Sequence, residues 1–225
     1  MHENHRKRVR ERYFSGGFEG MTDSEALEML LFYCIPRKDT VPMANALLEH
    51  FGSLSCIFEA SPEGLTEVDG IGENAAVFLT MIPKICRRYL TDKYSVDISL
   101  DDREGLANFI SSLYIGKKSE EINLLCFDGT GRIKSCFTFD NGDTSGVSGD
   151  LKEMIACALR CNSRTVIISH NHPDAVSSPS KDDVESTERV IKAFNESSIK
   201  VADHFIVGAD GYLSMASSAK FRNLF

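Results

Sequence analysis

The chain has 225 residues with a formal net charge of −8, and it is 42% hydrophobic and 26% charged. This length and ordinary globular composition allow one large domain or two small ones and argue against wholesale disorder. The acidic balance excludes a generally basic nucleic-acid binder, so any contact with DNA must come from a local basic patch.

The one strongly basic segment is the N-terminal stretch 5–12, which reads His-Arg-Lys-Arg-Val-Arg-Glu-Arg. A solvated arm is favoured here over a phosphate-binding segment. The N-terminus lacks the apolar run of a signal peptide, and no window reaches the roughly 18 apolar residues of a membrane-spanning helix. We therefore expect no membrane association.

Cysteine usage points to a reducing compartment. The chain has seven cysteines, an odd number, and most lie within apolar runs. They are interpreted as reduced core thiols of a cytoplasmic protein. Cys157 and Cys161 could share a helix face and bind metal, but no matching second pair exists, which favours a structural role.

The first part of the chain, residues 1–90, has helical periodicity. Thr22 or Asp23 is a candidate cap for the first clear helix, and Pro36 ends it. The predicted helices that follow cover residues 41–51, 55–60, a short segment from Pro62, and 73–90.

Between the last two of these helices lies the turn Gly70-Ile71-Gly72. Glycines allow a close backbone approach, and the free N–H groups of a helix N-terminus suit a phosphate oxygen. The pattern resembles a helix-hairpin-helix motif, which binds the DNA backbone without sequence preference. Glu67, Asp69 and Glu73 flank the turn and would repel phosphate, so a packing role competes with weak DNA contact.

Beyond a polar joint at 94–100, helical and strand patterns alternate. Helices are predicted at 101–113, 151–161 and 182–195, and strands at 122–128, 133–139, 165–169 and 205–208. The first two strands should form a hairpin around Gly129-Thr130-Gly131. The alternation predicts an α/β or α+β fold for this part, with domains at 1–93 and 100–225.

The sequence His170-Asn171-His172 follows directly on the apolar strand 165–169. In an extended segment, residues i and i+2 point to the same side, so the two imidazoles can converge on one cation. Asp183, at the start of the next helix, supplies a third ligand. Three protein ligands leave a fourth tetrahedral position for water, as in catalytic zinc sites. The spacing therefore predicts a Zn²⁺ site in which water is activated for attack.

The motif His-x-His-Pro at 170–173, followed after six residues by Ser180-x-x-Asp183, resembles the JAMM/MPN+ signature. The wider sequence resembles the RadC family (UPF0758) over nearly the whole chain, including segments 203–208 and 211–214. This resemblance implies an α+β chain: an N-terminal all-helical helix-hairpin-helix domain, followed by a JAB/MPN-type mixed sheet flanked by helices.

The resemblance also implies roles for single residues. His170, His172 and Asp183 would be the zinc ligands, and Ser180 would donate a hydrogen bond to the oxyanion. The glutamate that accepts the proton from water should open an early strand. Glu121 is the favoured candidate, with Glu120 expected to point the other way and Glu153 as its rival.

One departure from the family pattern lies beside the predicted metal site. The family usually has Ser-Gly-Asp after the proline, whereas this chain has Asp-Ala-Val at 174–176. The ligands are retained, but the loop that meets the substrate is altered, and Asp174 could compete for the metal. His204 is a candidate extra ligand, although a buried, hydrogen-bonded histidine is favoured.

Two functions follow. The first is a zinc metallopeptidase or isopeptidase that acts on an unknown peptide or protein substrate. The second is a DNA-associated repair protein, either a nuclease or a non-catalytic adaptor, with weak contact through Gly70-Ile71-Gly72. A two-metal nuclease would need more clustered carboxylates than the sequence offers.

Overall fold

The computed structural model describes residues 2–95, 98–140 and 148–225. The chain divides into two compact units, Met1–Cys86 and Arg87–Phe225. The dividing point lies inside one long helix, whereas the sequence suggested a boundary in the polar joint at 94–100. The predicted domain ranges 1–93 and 100–225 stay predictions.

The first unit is helical. Its elements are α1 (His2–Gly16), α2 (Asp23–Cys34), α3 (Val41–Phe51), α4 (Leu54–Glu59), α5 (Pro62–Thr66) and the start of α6 (Glu73–Tyr94). Thr22, rather than Asp23, caps α2 and forms a reciprocal capping box with Glu25,. Fully buried aliphatic side chains from several of these helices form its core, among them Leu27, Leu31, Leu47, Ile57 and Leu79.

The basic N-terminal segment is part of α1. Val9 is buried, and the Arg6 guanidinium donates to the carbonyl oxygens of Ile35 and Lys38 beyond the end of α2. Arg12 pairs with Glu25. Two of the basic side chains are therefore engaged within this unit, one with carbonyl oxygens at and beyond a helix end and one with a carboxylate.

The second unit contains a five-stranded mixed sheet with flanking helices. After α7 (Arg103–Leu113), its elements are β1 (Glu121–Phe127), β2 (Ile133–Asp140), α8 (Ser148–Arg160), β3 (Thr165–Asn171), α9 (Lys181–Glu196), β4 (Lys200–Gly208), β5 (Gly211–Ser214) and a final 3-10 turn (Arg222–Leu224). The strand order is β2-β1-β3-β4-β5. Only the pair β3–β4 is parallel, and α9 makes the crossover between these two strands,.

Helices cover both faces of the sheet. One face packs on α8 and α9 through the side chains Ile122, Leu124, Cys126, Val166 and Ile168. The other face packs on α7 through Leu125, Phe127, Ile167 and Phe205. Each fully buried aliphatic or aromatic side chain contributes roughly 1.5–3 kcal/mol relative to exposure. Because helices cover both faces of the sheet, strand β1 is buried along its whole length.

The α+β class with N-terminal helices is confirmed, and the predicted hairpin is β1–β2. β3 and β4 extend further than the apolar runs that predicted them, and β5 was not predicted as a strand. Within the described ranges, the structure has no helix whose length and apolar character would let it cross a bilayer.

Candidate functional site

Three elements bring together the predicted metal ligands. His170 lies in the last part of β3, His172 follows the strand, and Asp183 lies in the first turn of α9. Across residues 2–95, 98–140 and 148–225, these three form the one cluster of three or more potential ligands whose donor atoms all lie within 4.8 Å of one another. The i, i+2 geometry of an extended chain is what places the two imidazoles side by side.

The distances within this cluster suit a single small cation. The Nε2 atoms of His170 and His172 are 3.0 Å apart. Asp183 places Oδ1 3.3 Å from Nε2 of His170 and Oδ2 3.4 Å from Nε2 of His172. Ligand atoms bonded tetrahedrally to zinc at ~2.0–2.1 Å are about 3.3 Å from one another. The donor set therefore fits zinc in both chemistry and spacing.

The loop after β3 determines which nitrogen of His172 faces this cluster. The Nδ1–H of His172 donates to the carbonyl oxygen of Val176, 3.1 Å away, which leaves its Nε2 lone pair toward the cluster,. Backbone contacts hold the loop: Ala209 N–H donates to the Ala175 carbonyl. Gly208 permits this close approach, because a Cβ there would lie 2.4–2.6 Å from the backbone of residues 175–177.

Asp183 is held as a carboxylate by its neighbours. Burial would raise the pKa of this carboxyl, but its contacts with His170 and Ser180 outweigh burial and hold the pKa well below its ordinary value,. Ser180 is the N-cap of α9 and forms a capping box with Asp183,. The Ser180 hydroxyl donates to Asp183 Oδ2 at 2.7 Å, and the Ser180 N–H donates to the same oxygen at 2.8 Å.

Ser180 lies beside the cluster, in contact with Asp183. Its exposed side chain lines, with His172, Asp183 and Glu120, an open cleft of about 810 Å³. The sequence therefore identified a residue that adjoins the cluster and faces solvent. Its donation to an oxyanion stays a prediction.

The expected position of Glu121 is wrong. In the antiparallel pair β1–β3, Ile122 lies opposite His170, and residues opposite each other point to the same face. Glu121 therefore points to the other face of the sheet. Its buried carboxylate pairs there with Lys117, in a cavity lined by Arg87 and Asn123.

Glu120, the neighbour expected to point away, is the glutamate beside the cluster. Continuing the β1–β3 register by two residues sets Glu120 opposite His172. Its side chain lines the small cavity that also contains His170, Asp183 and His204, and the open cleft beside it. The structure thus brings Glu120, and not Glu121, to the predicted ligands.

The rival Glu153 is also away from the cluster. It lies on α8, exposed, where Arg160 and the Cys157 thiol are its partners. The hydrogen bonds of Arg160 hold the pKa of Glu153 below its ordinary value. Cys157 is a buried side chain in the core between α8 and the sheet. Asp174 is exposed and lines the open cleft.

Asn171, between the two histidines, holds the segment that carries Glu120. Because successive strand residues alternate, its side chain lies on the face opposite the imidazoles. Its Oδ1 accepts the backbone N–H of Glu121 at 2.8 Å, and its Nδ2 donates to the Ser119 carbonyl at 3.0 Å. These two bonds fix the backbone on both sides of Glu120. Sequence reasoning missed this role, although the residue stands inside the motif.

His204 lies behind His170 and is buried. Its Nε2 is 2.8 Å from His170 Nδ1, and its Nδ1 is 2.7 Å from Thr187 Oγ1. Burial, reinforced by the nearby His170, lowers the pKa of His204 to about 3,. With both ring nitrogens engaged, it is the buried, hydrogen-bonded histidine that the sequence favoured over an added ligand.

The Gly-Ile-Gly turn joins α5 to α6 in the first unit. Val68 and Ile71 anchor it in the helical core. Gly70 has a φ of +84°, whereas a Cβ on Gly72 would meet no atom within 4 Å. The N–H groups of Ala75 and Ala76 donate to the Gly72 carbonyl oxygen, which begins the hydrogen bonding of α6. The N–H groups of the residues before them lie ahead of these bonds, where contact with a phosphate would need them. Acidic side chains still flank the turn, so DNA contact stays a prediction.

The Gly72→Glu variant tests this contact. Since Gly72 faces open space, the substitution should leave the fold intact and add one negative charge at the turn. We expect the full-length wild-type chain to bind duplex DNA weakly at low salt, with log affinity falling by about 0.9 per phosphate contacted for each tenfold increase in salt. Fluorescence anisotropy measures this. Equal binding by the variant, or none by the wild type, would favour a packing role.

Comparison with known proteins agrees with this architecture. Residues 100–220 match the family model described as the RadC-like JAB domain, and residues 2–77 match the UPF0758 N-terminal model. A UPF0758 protein of Fusobacterium nucleatum subsp. nucleatum is 29% identical, with 94% of each chain covered. A UPF0758 protein of Janthinobacterium sp. (strain Marseille) is 31% identical, with 93% of each covered. The chain therefore belongs to the RadC (UPF0758) family and carries a RadC-like JAB domain.

Proposed function

We propose that this chain is a zinc-dependent hydrolase that cleaves amide bonds in a peptide or protein substrate, with His170, His172 and Asp183 as the metal ligands. The observation that carries the proposal is the convergence of two imidazole nitrogens and a carboxylate at separations of 3.0–3.4 Å. These ligands adjoin an open cleft to which a glutamate and a serine contribute. The JAB domain family supports the same assignment.

Zinc, when bound, would supply Lewis acidity that activates water and polarises a carbonyl. The chain's own residues complete the reaction. Glu120 accepts a proton from the attacking water and then gives it to the nitrogen of the scissile bond. The carbon–nitrogen bond therefore breaks with a neutral amine, rather than an amine anion, as the leaving group. Asn171 holds the backbone on either side of Glu120, which limits the movement of this carboxylate during the transfer.

The Ser180 hydroxyl donates a hydrogen bond to the carbonyl oxygen as negative charge develops there. To do so, the hydroxyl rotates away from Asp183 Oδ2, its present acceptor. After this rotation Asp183 Oδ2 still accepts the hydrogen bond from the Ser180 N–H. The capping box therefore keeps Asp183 oriented while the hydroxyl serves the substrate.

The proposal requires one tightly bound zinc ion for each chain. We expect wild-type protein, purified without chelator, to contain about one equivalent of zinc by elemental analysis. His172→Ala removes one of three ligands and should lose most of that zinc. His50→Ala is the matched control, because His50 is an exposed histidine at the end of α3 in the other unit.

Sub-stoichiometric zinc in the wild type, or equal zinc in the His172→Ala and His50→Ala variants, would contradict the assignment. Activity is then sought by incubating the zinc-loaded chain with a library of internally quenched peptides. A nuclease alternative is examined with labelled single-stranded and duplex DNA. Cleavage of DNA but not of peptides would show that the chain is a nuclease rather than a peptidase.

A further inference from the structure

The carbonyl of residue Asp183 is the fixed end of a chain of hydrogen bonds beside the metal ligands. Thr187 lies one turn further along α9, and its Oγ1 donates to this carbonyl oxygen at 2.6 Å. A carbonyl oxygen can only accept, so the direction of this bond is settled. The Met215 thioether, at 3.8 Å from the same hydroxyl, is a much weaker acceptor,.

That direction determines the tautomer of His204. A hydroxyl has one proton, and in Thr187 this proton is donated to the Asp183 carbonyl oxygen. The 2.7 Å contact between Thr187 Oγ1 and His204 Nδ1 must therefore be a bond in which Nδ1–H donates. The neutral His204 ring then carries its lone pair on Nε2, which faces His170.

The tautomer of His170 follows in turn. His204 Nε2 accepts from His170 Nδ1–H across 2.8 Å, so His170 keeps a lone pair on Nε2. This lone pair faces the Nε2 of His172 at 3.0 Å. His172 presents a lone pair as well, because its Nδ1–H goes to the Val176 carbonyl. Two facing lone pairs at this distance repel each other unless a cation or a proton lies between them.

We propose that Thr187 and His204 are positioning residues that fix His170 as the metal-binding tautomer, through the relay Asp183 carbonyl–Thr187–His204–His170. This inference rests on the proposed zinc site. The relay connects two of the three ligands, since it starts on the backbone of one and ends on the ring of another. His170 is thus oriented by side chains, whereas His172 is oriented by a backbone carbonyl. Partners that orient metal-bound histidines typically contribute 10–100-fold to metal affinity.

Zinc affinity, measured by competition with a chromophoric chelator, tests the relay. Thr187→Val keeps the side-chain shape but removes the hydroxyl, and we expect a 10–100-fold weaker affinity for zinc. Thr187→Ser restores the hydroxyl and should bind zinc as the wild type does. Ser169→Ala is the matched control: it removes a buried hydrogen bond to Tyr114 on the strand that carries His170, but on the opposite face, and should leave affinity unchanged.

A second measurement needs no substitution. Long-range ¹⁵N–¹H correlation spectra of the histidine rings in the zinc-loaded wild type should show His204 protonated on Nδ1 and His170 protonated on Nδ1. Protonation of His204 on Nε2 would overturn the relay, as would equal zinc affinity for Thr187→Val and Thr187→Ser. A wild-type chain that binds no zinc would instead contradict the proposed function, so the two failures are distinguishable.

Discussion

Replacing Glu120 with glutamine is expected to lower turnover by about 10²–10⁴-fold, the usual contribution of general acid–base catalysis. Glutamine keeps the shape of the side chain but cannot accept the proton of the attacking water. Because Glu120 is not one of the three ligands, the zinc content should stay at the wild-type value. The measurements are kcat on internally quenched peptides and zinc by elemental analysis, both at saturating metal.

Glu121→Gln provides the matched control, since it makes the same chemical change one residue away. Glu121 faces the opposite side of the sheet and pairs with Lys117. Its replacement should alter the stability of the chain by breaking that buried pair, while turnover per folded, zinc-loaded molecule stays close to the wild type. A large loss of turnover in Glu121→Gln with none in Glu120→Gln would refute the assignment made from strand register.

Replacing Ser180 with alanine is expected to lower turnover by about 10²–10³-fold, because one donor to the developing oxyanion is lost. The same change removes the N-cap of α9 and costs about 0.5–2 kcal/mol in the free energy of unfolding. The two effects are separated by measuring kcat at saturating zinc on protein that thermal unfolding shows to be fully folded.

Ser53→Ala is the control for the capping effect. Ser53 caps α4 through the same kind of bond, in which the Cys56 N–H donates to the Ser53 hydroxyl oxygen, and it lies in the helical unit. It should reproduce a comparable loss of stability without a loss of turnover. If the two variants lose turnover equally, the effect of Ser180 is one of helix stability, and its hydroxyl has no part in the reaction.

The convergence of His170, His172 and Asp183 could be predicted from the sequence because mostly local geometry brings them together. Two histidines separated by one residue share a side of any extended chain, and a helix that starts after a short loop returns Asp183 to the same place. The capping role of Ser180 is also local. The His-x-His and Ser180–Asp183 relations span two and three positions, and Asp183 follows His172 by eleven positions. None of these relations depends on how distant strands pair.

The proton acceptor could not be chosen in this way. A strand with one solvated face alternates apolar and polar residues, and this alternation shows which residues point inward. Strand β1 is buried on both faces, so every residue from Ile122 to Phe127 except Asn123 is apolar, and the sequence shows no regular alternation. Only the observed pairing of Ile122 with His170 reveals that Glu120 faces the ligands.

The relay behind His170 shows a second limit. His204 is 34 positions away from His170 along the chain, and the two rings meet because β3 and β4 pair in parallel with a particular register. A parallel register is set by the crossover helix and by packing on both faces, which leaves no local pattern to read. The sequence could identify His204 as a buried histidine, but it could not show that His170 is its hydrogen-bond partner.

The close packing of Gly208 against residues 175–177 has a consequence for how the protein can change. The loop is attached to its surroundings through peptide groups, while the side chains of residues 174–176 face solvent. Those side chains can therefore diverge without disturbing the carbonyl that orients His172. The main chain of this loop thus orients His172, and the side chains of Asp174 and Ala175 line the open cleft. The residues Asp-Ala-Val at 174–176 are therefore compatible with the positions that the structure gives His170, His172 and Asp183.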